Sequence, residues 1–326
     1  MPSRPRTSTA VPAPETEGVA EQTPPDQILA VPLRHWGRWV AAAVLLGLLA
    51  LLIRLIVNSR FADFAVVRHY LFNRSILVGL RNTLVISVLA QMVGITLGVT
   101  LSVMRLSKNP VLSVTSWLYI WFFRGTPVLV QLLFWFNAVP QVFKTFAVSV
   151  PFTHIVLYQK PMVLFMTSFM AALLGLGLNE GAYMAEIVRA AIISVDEGQT
   201  EAAQALGMRS GLIMRRVVLP QAMRVIIPPT GNEFISMLKT SSLASVVLYG
   251  ELLRRASDIY STNLRVVELL LDASIWYLVL TSIATIGQYY LERRFARGAS
   301  RELPLTPLQR IRRNLVPGRP WFRVLR

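Results

Sequence analysis

The sequence contains no cysteine among its 326 residues, which excludes disulfides, thiolate metal sites and cysteine nucleophiles. Histidine is nearly as scarce: His35, His69 and His154 lie far apart and form no ligand-spaced set. No G-x4-G-K-[ST] phosphate loop occurs, so the chain has no P-loop route to ATP hydrolysis. Charged residues make up only 15% of the chain, where a soluble domain carries about a quarter. No carboxylate pair stands at a convincing catalytic spacing, and with it goes the reading as a membrane enzyme.

What remains is apolar. Hydrophobic residues make up 54% of the chain, and several runs approach or exceed the ~20 residues that cross a bilayer. The expected fold class is all-α: a polytopic helical membrane protein with about six spans, at 38–57, 76–104, 112–138, 161–190, 222–248 and 270–291. Arg81, Asn82 and Thr83 break up the second, and 61–75 before it reads as an interfacial helix. In the third, Arg124-Gly125-Thr126-Pro127 introduces a kink. Pro228-Pro229 should interrupt the fifth near its start. Gly94 and Gly98, four apart in the second span, mark close helix packing. Residues 1–30, rich in Pro, Thr, Ala and Glu, read as a disordered cytoplasmic tail. They do not read as a signal peptide, because the first apolar run begins only near Trp39.

The net charge of +16 comes with no recognisable nucleic-acid module, so nucleic acid is not an expected partner. In a membrane protein the excess Arg and Lys instead mark cytoplasmic loops. Arg34 and Arg38, Arg105 and Lys108, Arg209, Arg215 and Arg216, and the arginines from Arg293 to Arg326 all fall on one side of a six-span chain. That side is the expected cytoplasm, with both termini in it, and the basic tail 293–326 meets anionic headgroups there.

Polar groups inside the spans are costly by ~2.5–3.5 kcal/mol on insertion scales, so they face protein or a watery path. In span five, Glu233, Ser236 and Thr240 share one helical face, and Asn232, Ser236 and Lys239 an adjoining one. Glu233 and Lys239 could serve the ammonium and carboxylate ends of a zwitterion, or could neutralise each other. Gln131 in span three suits either a cavity wall or helix packing. Span four ends with Glu180, Tyr183, Glu186 and Arg189. Glu186 and Arg189, three apart near the cytosol, read as a gate or structural ion pair.

One stretch between spans four and five, "EAAQALGMRSGLIMRRVVLP" (201–220), is amphipathic and charged. Glu201 suits the first turn of a short helix, where the helix dipole favours an acid. Ala202 and Ala203 are strong helix formers that permit close approach. Gly207 can end the turn, and Leu219-Pro220 opens a new helix. The spacing resembles the EAA loop of bacterial binding-protein-dependent ABC importers, E-A-A-x3-G-x9-I-x-L-P, with Val217 in place of the usual Ile. "GLRNTLVISV" (79–88), "RGTPVLVQLLF" (124–134), "AYMAEIVRAAIISVDEGQTEAA" (182–203) and "LPQAMRVIIPPTGNEFISMLKTSSLAS" (219–245) look like polar amino acid permeases of the His/Glu/Gln/Arg/opine group. "KTSSLAS" departs from a common K-D-T-S-L form, with Thr240 in place of the acid.

The resemblance implies a type I importer permease core of five helices over 70–292, with the coupling loop at 198–220 and an extra N-terminal helix and connector at 31–69. It places the chain in the bacterial plasma (inner) membrane, multi-pass, as a subunit without a nucleotide site. Glu201, Ala202, Ala203, Gly207, Leu219 and Pro220 would couple it to cytoplasmic ABC ATPase subunits carrying ATP and Mg; no cofactor is bound by this chain. The other implied partners are a second permease subunit, an extracytoplasmic solute-binding protein that delivers polar amino acids, and the lipid bilayer. The alternative from another class is an ion-coupled secondary transporter of small polar solutes. Such transporters often carry paired broken helices, and only one Pro-broken span occurs here.

Overall fold

Residues 36–58, 62–150 and 155–295 are described by a computed structural model. The expected tail 1–30 and the basic tail beyond Phe295 lie outside the described residues. The chain divides into two units, 1–60 and 61–326. The first holds helix α1 (Trp36–Asn58), whose apolar run Trp39–Leu55 displays leucines all round. A helix that is apolar on every side needs an apolar surrounding, in protein or in lipid.

The second unit opens with α2 (Phe64–Leu71), N-capped by Asp63, whose carboxylate accepts from the Ala65 N–H. Helix α3 (Arg74–Arg105) follows after the Asn73 cap and runs unbroken through Arg81, Asn82 and Thr83. Those polar residues do not break the helix: Arg81 is exposed, and a turn at 249–252 absorbs Asn82 and Thr83. Asn82 Nδ2 donates to the Gly250 carbonyl at 2.8 Å, and Thr83 Oγ1 accepts from the Leu252 N–H at 3.1 Å.

The expected third span is two pieces. Helix α4 (Pro110–Gly125) and the run Val128–Val142 meet at 101°, around extended Thr126 and Pro127. That run comprises α5 (Val128–Leu133), a π-helical turn Phe134–Ala138 and α6 (Val139–Val142). Strands β1 (Thr145–Ser149) and β2 (Val156–Pro161) then form an antiparallel hairpin with a bulge between Val148 and Ser149. The hairpin was not expected. The fourth span accordingly begins later than residue 161. After the short α7 (Met162–Phe165), helix α8 (Ser168–Ile193) starts where Thr167 Oγ1 accepts from the Met170 N–H.

Helices α9 (Glu197–Ala205) and α10 (Ser210–Ile213) form the loop before α11 (Leu219–Thr240), joined to it by a π-helical segment Met214–Val218. Pro228 and Pro229 sit inside α11 without ending it. Each removes one intrahelical donor, but the neighbouring turns keep theirs, and Gln288 adds a donor to the Pro228 carbonyl at 3.2 Å. A 3-10 segment Ser241–Val247 leads through left-handed Leu248 to α12 (Leu252–Asn263) and then α13 (Val266–Phe295).

Packing centres on α3 against α8. A Cβ at Gly94 would overlap the Glu180 side chain, and one at Gly98 would overlap Met184 and stand 2.9 Å from the Ala185 nitrogen, so both glycines serve the close approach. Ile86, Ala90, Leu132, Leu176, Met237 and Val247 form a buried core across α3, α5, α8, α11 and the 3-10 segment. Among the described residues, α3 and α13 are long and apolar enough to cross a membrane, and the bent pair makes a third. Helices α8 and α11, expected as spans four and five, fall short on apolarity alone. Their inward faces carry the polar groups described next.

Candidate functional site

The break between α4 and α5 is held by two side-chain amides. Gln131 Nε2 donates to the Phe123 carbonyl (3.0 Å), the Thr126 carbonyl (3.1 Å) and Thr126 Oγ1 (2.7 Å). Asn179 Nδ2 on α8 donates to the same Phe123 carbonyl at 2.8 Å. A broken helix strands carbonyls that hydrocarbon cannot satisfy, and these two amides satisfy them. Gln131 is therefore a staple for the break and does not line this cavity, the helix-packing side of its two expected places.

The break turns Arg124–Val128 towards a cavity of about 650 Å³. Helix α8 contributes Leu176, Asn179, Glu180 and Tyr183, and α11 contributes Glu233, Ser236, Met237 and Thr240. The Arg124 guanidinium carbon stands 5.2 Å from the centroid of the Tyr183 ring, within cation–π range. Glu180 is 5% exposed, and its Oε1 accepts from Gln91 Nε2 of α3 at 3.1 Å. One guanidinium and two carboxylates thus share one space lined by the α4–α5 break, α8 and α11. Charges held partly out of water attract an oppositely charged ligand more strongly than they would in bulk water.

The expected stripe on α11 splits in two. Glu233, Ser236 and Thr240 line the cavity, whereas Asn232 turns to α13 and accepts from Gln288 Nε2 at 2.9 Å. Lys239 is exposed and stands outside the cavity wall, and no ion pair joins it to Glu233 among the described residues. The cation in the cavity is Arg124, which the sequence marked only as part of a kink. Glu180 carried the better sequence signal, an acid inside an apolar run, which by itself warrants a functional reading. Nearer the C-terminal end of α8, Arg189 Nη2 and Nε both donate to Glu186 Oε2, at 2.6 and 3.1 Å, away from the cavity.

The loop before α11 is a second constructed feature. Asp196 caps α9 by accepting from the Gly198 N–H at 2.8 Å, so the first-turn acid is Glu197 and Glu201 lies in the second turn. The sequence reading placed that helix start too late, because the Asp196 cap lies five residues upstream of Glu201. Gly207 ends the helix with φ +73°, and the Met208 N–H closes back on the Ala203 carbonyl at 3.1 Å. Ala203 is buried against Ile213 and Val218, while Glu201, Ala202, Leu219 and Pro220 are exposed. The hairpin is packed from beneath and leaves a free outer face.

Comparison with known proteins bears on both features. Residues 94–297 match the family model described as "Binding-protein-dependent transport system inner membrane component". The "Arginine transport system permease protein ArgU" of Corynebacterium glutamicum is 47% identical over 285 residues, covering 87% of this chain and 88% of that protein. The "L-cystine transport system permease protein TcyB" of Bacillus subtilis is 35% identical, covering 67% and 86%. Among solved structures, an "amino acid ABC transporter with histidines" superposes with a TM-score of 0.61 at 35% identity, covering 72% of this chain and 99% of that one. The cavity-lining residues and the loop sit inside the matched region, and the chain belongs to the family of binding-protein-dependent transport system inner membrane components.

Proposed function

We propose that this chain is the permease of an ATP-driven importer for amino acids with a cationic side chain. The observation that carries the reading is the cavity: two carboxylates, Glu180 and Glu233, face one guanidinium, Arg124. A cationic amino acid brings two positive groups and one carboxylate, the complement of that set. A neutral amino acid would leave one cavity carboxylate without a partner, and unpaired buried charge is costly. The arginine transport relative in Corynebacterium glutamicum supports the same substrate class.

In this reading the loop 198–220 docks on a separate cytoplasmic ATPase through Glu201, Ala202 and Gly207, with ATP and Mg held by that partner. A second permease subunit completes a two-fold pore, an external binding protein delivers the substrate, and both termini lie in the cytosol. The family membership weighs against the ion-coupled secondary transporter. The test is binding of radiolabelled L-arginine to the purified transporter, with L-glutamine and L-cystine as competitors. We expect arginine to be displaced only by other cationic amino acids, and efficient displacement by glutamine would overturn the substrate class.

A further inference from the structure

We propose that Gln91 on α3 is a positioning residue that fixes Glu180 for a cationic ligand without cancelling its charge. This role presupposes that the cavity takes a cationic amino acid. Glu180 reaches the cavity from α8, yet α3 controls it from behind at two points. Gln91, itself 6% exposed, donates through Nε2 to Glu180 Oε1 at 3.1 Å. Three residues on, Gly94 supplies the room: any Cβ there would overlap Glu180 Cγ and stand 2.8 Å from its Cβ. The carboxylate is thus laid along the bare backbone of α3 with one oxygen tethered. Among the described residues, Glu180 makes no other side-chain hydrogen bond, so its second oxygen has no protein partner.

The tether's chemistry matters as much as its position. Lys or Arg at 91 would also hold Glu180, but as an ion pair that neutralises it. An amide donor is neutral, so the negative charge stays available. The amide arrangement has a cost that packing alone would not choose, since Gln91 Oε1 is buried with no hydrogen-bond partner. An apolar residue at 91 would avoid that cost and still pack against α8. Retaining the amide therefore points to its donor end, which holds Glu180.

Equilibrium binding of radiolabelled L-arginine to the detergent-purified transporter tests this, using Gln91→Met, Gln91→Lys, Glu180→Gln and the Gln91→Met/Glu180→Gln double variant. Gln91→Met should weaken arginine about tenfold, the scale of one lost charge-assisted hydrogen bond, with the melting temperature within a few degrees of wild type. Gln91→Lys should weaken it further, by neutralising Glu180. In the Glu180→Gln background Gln91→Met should add nothing, because its effect runs through Glu180. Wild-type affinity in Gln91→Met or Gln91→Lys, or an equal loss with and without Glu180, overturns the role. If Gln91→Met fails to fold, Gln91→Asn keeps the amide but falls a methylene short, and the same outcomes apply to it. Arginine binding untouched by both Glu180→Gln and Glu233→Gln would instead remove the cavity assignment itself.

Discussion

Glu233 and Lys239 have the same look in the sequence, each an ion in an apolar helix, and the structure gives them opposite surroundings. Glu233 lines the cavity and Lys239 does not, so their variants should behave differently. Glu233→Gln should weaken arginine binding roughly ten- to a hundredfold, as expected for losing a charge-assisted contact worth ~1.5–3 kcal/mol. Lys239→Met should leave binding within about twofold of wild type. Titrations on both purified variants check this, and equal losses would mean that the two residues share one role. The 100° spacing on α11 was enough to group Glu233, Ser236 and Thr240, because a helix face is a local property. Arg124 was not legible as a cavity group. Its place depends on a bend, and on an α8 partner, Tyr183, that no spacing rule connects to it.

Local signals also gave many element ends and missed others for physical reasons. Gly207 announced the end of α9, since a left-handed φ of +73° favours glycine. Its substitution by Val should cost ~1–2 kcal/mol locally and fray the loop. We expect Gly207→Val to insert and fold with an unchanged melting temperature, yet to lose transport and substrate-stimulated ATPase. Full uptake by this variant would show that the loop transmits no force. The proline pair in α11 was misread because the sequence shows the donors lost and not the neighbours that compensate. Conversely, the α4–α5 break needed Gln131 and Asn179 to be tolerable, and only the first lies near it in sequence. Gln131→Leu should strand the Thr126 carbonyl and lower stability by ~1–3 kcal/mol, read as a fall in thermal unfolding temperature. Asn179→Leu should cost less, since the Phe123 carbonyl keeps Gln131.

At the scale of the molecule, hydropathy made the helical membrane class legible, and arginine placement makes an orientation testable. A reporter at Gly211 should be cytosolic and one at Gln141 external, and an external signal from Gly211 would rule out docking on a cytosolic partner. The β-hairpin at 145–161 escaped notice because its strands are short and merge with the apolar run behind them. A last consequence comes from the π-helical turn at Met214–Val218. It joins α10 to α11 with no non-helical residue between Ser210 and Thr240. Ser210, at the loop end of this path, and Glu233 are therefore 23 residues apart on one continuous helical run, ~35 Å along its axis at 1.5 Å per residue. A tilt of ~10° about its Ser210 end would swing Glu233 sideways by ~6 Å, more than a hydrogen bond can stretch. Arg124 rides on a different element and would not follow in step. If the cavity holds the ligand as proposed, a ligand between the two would lose one grip when the loop is pushed.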